Sequence, residues 1–255
     1  MISAVIASNC ESEILKYCLS SIYGFADEII VFNTGGSDTK LENLVQKYNL
    51  TEFKHKKVPY IELMRNEMIT EASGDWILIL DPDEQLPEKL KNLLKIISSE
   101  DKFDAVNIPR KNIIFGKWIK HTNWWPDKQI RFFKKGKLRW MNKIHSYPVC
   151  KGNLFQVPSK EDLAIVHYQY KDIFEFIQKQ NRYSSAEALN LYEKGEKSSL
   201  VNLFWWPLRQ FLTRFIKHGG FFDGFYGLVL TYLMMIYKIS VWVKLWQWQN
   251  IKKTF

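Results

Sequence analysis

The residues with the clearest capacity for chemistry are Asp81 and Asp83, near the close of the run Gly74-Asp75-Trp76-Ile77-Leu78-Ile79-Leu80-Asp81-Pro82-Asp83-Glu84. Five consecutive apolar residues bounded by polar ones read as a fully buried strand. Such a strand delivers its carboxylates to one exposed end. Carboxylate oxygens suit a hard divalent cation, Mg2+ or Mn2+, and one or two of them suffice when phosphate and water supply the other ligands. A cation held there acts as a Lewis acid on a departing diphosphate. Standing alone, Asp-x-Asp also arises as an acidic turn before a helix. Arg131 and Arg110 are basic side chains able to pair with phosphate, with solvated surface arginine as the competing reading.

The surrounding pattern decides where these groups fall. Residues 2–7 read as a buried first strand that begins at once, without a basic leader. Glu11 to Tyr23 follows as a helix with Ile14, Leu15, Cys18, Leu19 and Ile22 on its apolar face. Residues 28–32 form a second strand, 33–38 a loop, and a helix carries Leu41, Leu44, Val45 and Tyr48. A third short strand is expected near Phe53 to Val58, and a helix from Tyr60 to Ala72. Pro87 is expected to open a further helix at its first turn, with Leu90, Leu93, Leu94 and Ile97 on one face. Strands alternating with helices predict a parallel sheet covered on both faces, with ligands bound beyond the carboxyl ends of the strands. Residues 33–38 and 81–84 both fall there. From residue 103 the pattern changes to short strands at 105–108, 129–133 and 164–167, a mixed and partly antiparallel half. Asp172 to Glu193 reads as one long helix, and the remainder as helical, basic and aromatic.

Bulk properties set outer limits. A chain of 255 residues suffices for one large α/β domain with an appendage. The net charge of +9 calls for an anionic partner without choosing among nucleic acid, anionic lipid and a phosphorylated substrate. Cys10, Cys18 and Cys150 form no C-x-x-C pair, so neither a zinc site nor a disulfide framework is indicated, and reduced cytosolic thiols are the simplest reading.

Taken in order, the motifs resemble a family 2 glycosyltransferase of the GT-A fold, and within it the bacterial lipopolysaccharide-core β-glucosyltransferase-like group. The carrying residues are Ile6-Ala7-Ser8-Asn9-Cys10-Glu11, the stretch from Glu28 through Asn33-Thr34-Gly35-Gly36-Ser37-Asp38, Met64-Arg65-Asn66, and Gly74 through Glu84. Trp124-Trp125-Pro126-Asp127, Arg131-Phe132-Phe133-Lys134-Lys135, Ile144-His145, His167-Tyr168 and Gly219-Gly220-Phe221-Phe222-Asp223-Gly224 complete the set. The resemblance covers nearly the whole chain. It implies an α/β, Rossmann-like nucleotide-diphospho-sugar transferase fold with a mixed central sheet and a helical C-terminal extension. Residues 1–170 would be catalytic, 1–100 binding the nucleotide sugar and 101–170 the acceptor, with 171–255 as the helical remainder.

The resemblance also assigns roles. Ala7, Ser8, Asn9, Asn33 and Asp38 would hold base and ribose. Arg65 would lie near the diphosphate, with Arg131 also on the nucleotide sugar. Asp81 would face ribose and metal, and Asp83 would be the better metal ligand. A late histidine often completes such a site, and His145 is favoured over His167 because it follows the basic strand at the expected distance from Asp127. Asn33 stands where the family usually has Asp; the amide still donates and accepts but brings no charge, so the base stays unassigned. Inversion needs a general base on the acceptor hydroxyl, and Asp127 occupies the family's acidic position beside two tryptophans.

From residue 201 onward the bases are Arg209, Arg214, Lys217, Lys238, Lys244, Lys252 and Lys253, against one acid, Asp223. Tryptophans are interleaved with them. Gly224 to Tyr237 is uncharged but shorter than the roughly 20 residues of a spanning helix, so interfacial binding to an anionic membrane surface is preferred over spanning. A helical pair packed on the catalytic domain is the alternative. The expected protein is therefore a peripheral enzyme on the cytoplasmic face of the inner membrane. It would move a sugar, from a UDP-sugar or similar donor, to a glycan or lipid-linked acceptor in lipopolysaccharide or other surface polysaccharide, without nucleic acid. The competing readings are a non-enzymatic nucleic-acid- or membrane-binding protein, and a glycosyltransferase with a protein acceptor. Carboxylates concentrated at a strand end argue against the first.

Overall fold

The computed structural model describes residues 1–9, 12–35, 39–56, 58, 61–140 and 148–251. Asp38 and His145 lie outside the described residues. The chain divides into two compact units: Met1–Lys111 with Lys128–Tyr168, and Asn112–Asp127 with Gln169–Phe255.

The first unit begins with β1 (Ile2–Ser8), α1 (Ser12–Ile22), β2 (Glu28–Asn33), α2 (Thr39–Tyr48) and β3 (Thr51–Lys54). A 3-10 turn at Ile61–Leu63 leads into α3 (Arg65–Glu71), followed by β4 (Trp76–Leu80), β5 (Glu84–Gln85) and α4 (Glu88–Glu100). β6 (Ala105–Ile114), β7 (Lys117–Trp118), β8 (Asp127–Lys134), β9 (Leu138–Arg139), β10 (Val149–Cys150), β11 (Leu154–Gln156) and β12 (Ile165–Tyr170) come next. The main sheet runs β3-β2-β1-β4-β8-β6-β12-β5. Its β3-β2-β1-β4 part is parallel, and β8 pairs antiparallel with β4, so the expected mixed sheet is found.

Side-chain alternation explains why β1 and β4 read as largely apolar runs. Ala4 and Ile6 of β1 and Leu78 and Leu80 of β4 pack with Leu15 and Leu19 of α1 and Leu90 and Leu94 of α4. Their neighbours Val5, Ala7, Ile77 and Ile79 face the other side, against Met68 and Ile69 of α3. Both faces are covered, so every residue of the strand is selected for burial, each large one contributing roughly 1.5–3 kcal/mol. The register sets Ser8 beside Asn33 and Ile6 beside Leu80. Ser8, Asn33 and Asp81 thus leave the sheet at one end.

Local boundaries differ from the expectation in instructive ways. The third strand ends at Lys54 rather than near Val58. The helix expected over 60–72 is divided by Met64, which is 2% exposed and precedes α3. Pro87 is the N-cap of α4 rather than its first helical residue, with φ −67° and an extended ψ of 152°. Strand β6 runs to Ile114, well beyond the apolar 105–108.

The second unit holds β7 and the C-terminal helices. α5 (Ile173–Glu193) is capped by Asp172, which accepts from the Glu175 N–H at 2.9 Å, and α6 (Leu200–Phe211) by Ser199. A π-helical turn, Leu212–Lys217, a 3-10 turn, Gly220–Asp223, and α7 (Phe225–Ile251) follow. Val241, Trp242 and Leu245 of α7 pack on Ala188 of α5, with Leu203 and Trp206 of α6 against them. By length and composition, Phe225–Asn250 would suffice to cross a membrane.

Candidate active site

At the carboxyl ends of β1, β2 and β4 the first unit gathers three carboxylates and three guanidinium groups. Glu84 is fully buried. It accepts from Arg110 Nη1 at 3.0 Å and Arg131 Nη2 at 2.6 Å, and its second oxygen accepts from the Asp81 N–H at 2.9 Å. Arg131 also bonds Asp81 Oδ2 through the same Nη2. Arg65 Nη2 stands 3.5 Å from Asp81 Oδ1. A buried charge persists only when paired, and here the pairing fixes the turn that carries Asp81 and Asp83. Burial pushes the Asp81 carboxyl upward, but Arg131, Arg65 and Arg110 override it and hold the group well below the usual carboxylate range. The same carboxylates hold the Arg131 guanidinium above its ordinary value against the opposing effect of burial. Burial, reinforced by Glu84, Asp83 and Asp81, raises the Cys18 thiol well above normal; its Sγ lies 3.6 Å from the Asp81 carbonyl oxygen.

Asp83 is placed differently from Asp81. Its backbone carbonyl accepts from the Tyr168 N–H at 2.9 Å, and His167 Nε2 lies 3.7 Å from its Oδ2. β5 and β12 pair antiparallel with His167 opposite Glu84, which brings the imidazole to the acidic turn. Among the described residues no cluster of three or more His, Cys, Asp and Glu side chains is gathered to hold a metal unaided. An oxygen from Asp83 and a nitrogen from His167 nevertheless form a donor pair that suits Mn2+, with diphosphate oxygens and water completing the shell.

The remaining expected residues fall as follows. Ala7 and Ser8 close β1, and Asn9 is exposed just beyond it. The Ser8 carbonyl accepts from the N–H and hydroxyl of Thr34. Asn33 is buried; its amide donates to Glu52 Oε1 at 2.8 Å and accepts from the Gly35 N–H at 2.9 Å, so the loop is shaped by both ends of one side chain. Arg65 stacks 5.2 Å from the Trp140 ring centroid. Asn66 fixes that ring by exchanging hydrogen bonds with the Trp140 backbone.

Asp127 belongs to the second unit, at the start of β8. Asn112, fully buried, donates to Asp127 Oδ2 at 3.2 Å and to the Trp124 carbonyl at 2.9 Å. The preceding loop, with Thr122 and Asn123 in the left-handed region, is gripped by Asp223. That carboxylate accepts from the N–H groups of Lys120 and His121 and from the Thr122 hydroxyl. Arg214 donates to the Thr122 carbonyl at 2.8 Å and is pushed down to about 10 by burial. Here lies the reason for Gly219 to Gly224: the motif presents Asp223 to the loop that leads to Asp127. A Cβ on Gly227 would drive into the Gly220 carbonyl oxygen, so helix and turn approach as only glycine permits.

Sequence reasoning quoted Glu84 as part of an acidic turn without giving it a role. Its signal was a carboxylate directly after a buried strand with two arginines on later strands. His145 is preferred to His167 in the sequence for its distance from Asp127; the pairing that brings His167 to Asp83 joins residues more than 80 positions apart and leaves no local signal.

The mixed sheet with helices on both faces and carboxylates at the ends of its parallel strands has the GT-A fold of glycosyltransferases. The chain belongs to glycosyl transferase family 2, whose model matches residues 3–160. It is 24% identical over 258 residues to the lipopolysaccharide core biosynthesis glycosyltransferase LpsC of Rhizobium meliloti (strain 1021), covering 98% of this chain and 94% of that one. It is 25% identical to an uncharacterized glycosyltransferase of Rickettsia typhi, RT0209, covering 87% and 79%. The mannosyltransferase PcManGT from Pyrobaculum calidifontis, solved in complex with GDP-Man and Mn2+, superposes with a TM-score of 0.55 at 13% identity, covering 98% of this chain and 87% of that one. The protein is thus a glycosyltransferase with an α/β GT-A fold and a helical C-terminal region.

Proposed function

We propose that this glycosyltransferase transfers a sugar, with inversion, from a nucleotide diphosphate sugar to a glycan or lipid-linked acceptor of lipopolysaccharide or a related surface polysaccharide. The observation carrying the donor reading is the pair Asp83 and His167 beside Asp81, Arg65 and Arg131 at the mouth of the sheet. Asp83 and His167 would hold Mn2+ or Mg2+, with Asp81 the adjoining carboxylate, and the cation would supply Lewis-acid relief of charge on the departing diphosphate. Ser8 and the Asn33–Gly35 turn would receive base and ribose. Arg65, poised on Trp140, would orient phosphate.

At the acceptor, Asp127 would take the hydroxyl proton as that oxygen bonds to the anomeric carbon and the bond from carbon to the diphosphate oxygen breaks. Asn112, donating to Asp127 Oδ2, would orient the carboxylate for this step. The lipopolysaccharide assignment is supported by full-length similarity to LpsC, and a metal by the donor set. A UDP-sugar is our choice of donor. The C-terminal composition supports a peripheral position on the cytoplasmic face of the inner membrane, close to a lipid-linked acceptor.

The test is a nucleotide-sugar hydrolysis screen with Mn2+ or Mg2+, run on the unaltered chain and on Asp83→Ala. Turnover of one donor that needs the metal and disappears with Asp83 is expected. Turnover indifferent to both would overturn the reading.

A further inference from the structure

We propose that the outer face of α6 and of the π-helical turn after it is a docking surface for an anionic lipid bilayer, with the helix lying along the interface. This specifies the membrane placement proposed above but stands on the second unit alone, and it does not require sugar transfer.

The first observation is a one-sided apolar stripe. Val201, Phe204, Trp205, Leu208, Leu212 and Ile216 recur at helical spacing, and all are exposed, from 42% at Leu212 to 74% at Val201. The opposite side of α6 is already used: Pro207 is buried, and Leu203 and Trp206 pack against the cluster of Val241, Trp242 and Leu245 on α7. The stripe therefore has no role in the unit's own core. Phe221, Phe222 and Phe225, also exposed, follow directly in the chain. An apolar surface this continuous marks a partner.

The second observation is charge, which selects the partner. Among the described residues from 198 onward the only acid is Asp223, 4% exposed and bonded within the unit. Arg209 and Lys217 flank the stripe and are exposed. A second copy docking face to face would set these cations against their counterparts, and α6 and the turn after it contain no carboxylate to meet them. Anionic headgroups supply the missing charge, and a tryptophan among lysine and arginine suits the headgroup boundary.

The third observation decides between lying and spanning. α7 is long and apolar enough to cross a bilayer, but it is tied to the polar helix α5. Tyr237 and Lys238 both bond Glu187, the latter at 2.6 Å, and Lys244 Nζ bonds Asn181 Oδ1 at 2.6 Å. Threading α7 through hydrocarbon would carry Glu187 and its neighbours with it, at a cost the paired but hydrated arrangement avoids. α7 also exposes Tyr232, Ile236, Val243 and Trp246, but the apolar stripe flanked by the exposed cations Arg209 and Lys217 is that of α6, and this is the face matched to an anionic bilayer.

The experiment is vesicle flotation of the full chain. It compares phosphatidylcholine alone with phosphatidylcholine containing about a third phosphatidylglycerol, a composition that gives a negative surface potential. Flotation with the anionic vesicles is expected. Arg209→Glu with Lys217→Glu should lower partitioning by about tenfold or more, since each basic residue near such a surface contributes about a factor of five. Phe204→Glu with Leu208→Glu should abolish flotation, while Ile96→Glu on the exposed face of α4 should leave it unchanged. All these side chains are solvent-facing, and an unaltered melting temperature confirms the fold. Nucleotide-sugar hydrolysis in solution by the Phe204/Leu208 variant should match that of the unaltered chain. Loss of hydrolysis in every form with flotation intact would count against the enzyme reading alone. Flotation insensitive to Phe204→Glu with Leu208→Glu would overturn the docking surface. So would a full chain that stays unbound to anionic vesicles, whether monomeric or joined to a second copy through this face.

Discussion

His167 Nε2 lies 3.7 Å from Asp83 Oδ2, although more than 80 residues separate the two along the chain. The contact exists because β12 lies between β6 and the two-residue edge strand β5, which it pairs antiparallel. It separates the roles of the two aspartates: Asp81 is committed to arginines, and Asp83 shares its space with an imidazole.

His167→Ala should therefore raise the Mn2+ concentration needed for half-maximal donor hydrolysis by at least about tenfold, the loss that even an outer partner of a metal ligand brings. Its affinity for metal-free nucleotide should stay the same. A metal titration of activity checks this, and an unchanged midpoint would remove His167 from the site.

Arg131→Met takes one of two guanidinium partners from the buried Glu84 carboxylate, which keeps its ion pair with Arg110. Removing one partner from a buried pair costs about 3–5 kcal/mol, so the urea midpoint should fall steeply. Arg131→Lys should recover only part of the loss, because one ammonium cannot reproduce the planar fork that reaches both carboxylates. Equal stability of all three forms would contradict the organising role given to Glu84.

Much of this was legible in the residues themselves. β4 is apolar at every position and β1 at all but Ser3 and its last residue, Ser8, so burial on both faces could be read directly, and with it the exit point of Asp81. β6 was recognised only over its first apolar residues, since Pro109, Arg110, Lys111 and Asn112 carry no strand signature of their own. They are strand because the neighbouring strands impose it. Arg131 stands in the sequence as a base able to pair with phosphate; that its guanidinium is buried against Asp81 and Glu84 is seen only in the fold. A sequence gives the charge but not which way a strand residue points. The part played by Asp223 was hidden for the same reason as that of His167: its partners at residues 120–122 lie about a hundred residues upstream.

Asp223→Ala should leave the N–H groups of Lys120 and His121 without their acceptor in a tight loop. A buried donor left unmade costs about 1–3 kcal/mol. A drop in melting temperature is expected, together with reduced kcat in acceptor transfer while donor hydrolysis is kept. Gly227→Ala should act in the same direction by pushing α7 away from Gly220.

Asp127→Asn should preserve donor binding and lower transfer by about a hundredfold to ten-thousandfold, the usual contribution of a general base. Transfer kinetics against a saturating donor would reject the assignment if the rate were unchanged.

Glu28 gives a pH-dependent prediction away from the site. Burial raises its carboxyl, but hydrogen bonds from Ser3 and Ser73 more than offset this and lower it from the ordinary value. A depressed carboxylate stabilises the fold above its unfolded pKa, about 4.3 for Glu, and the contribution is lost as pH falls through the folded value. Glu28→Gln should thus cost about 1 kcal/mol at neutral pH, shrinking below roughly pH 4. Urea unfolding at the two pH values measures the difference.

The most direct measurement is a calorimetric titration of nucleoside diphosphate into the full chain, with and without Mn2+, for the unaltered protein and Asp83→Asn. The account predicts that Mn2+ strengthens binding in the unaltered protein and does nothing for the variant. Equal affinity in all four titrations would contradict a metal held at Asp83.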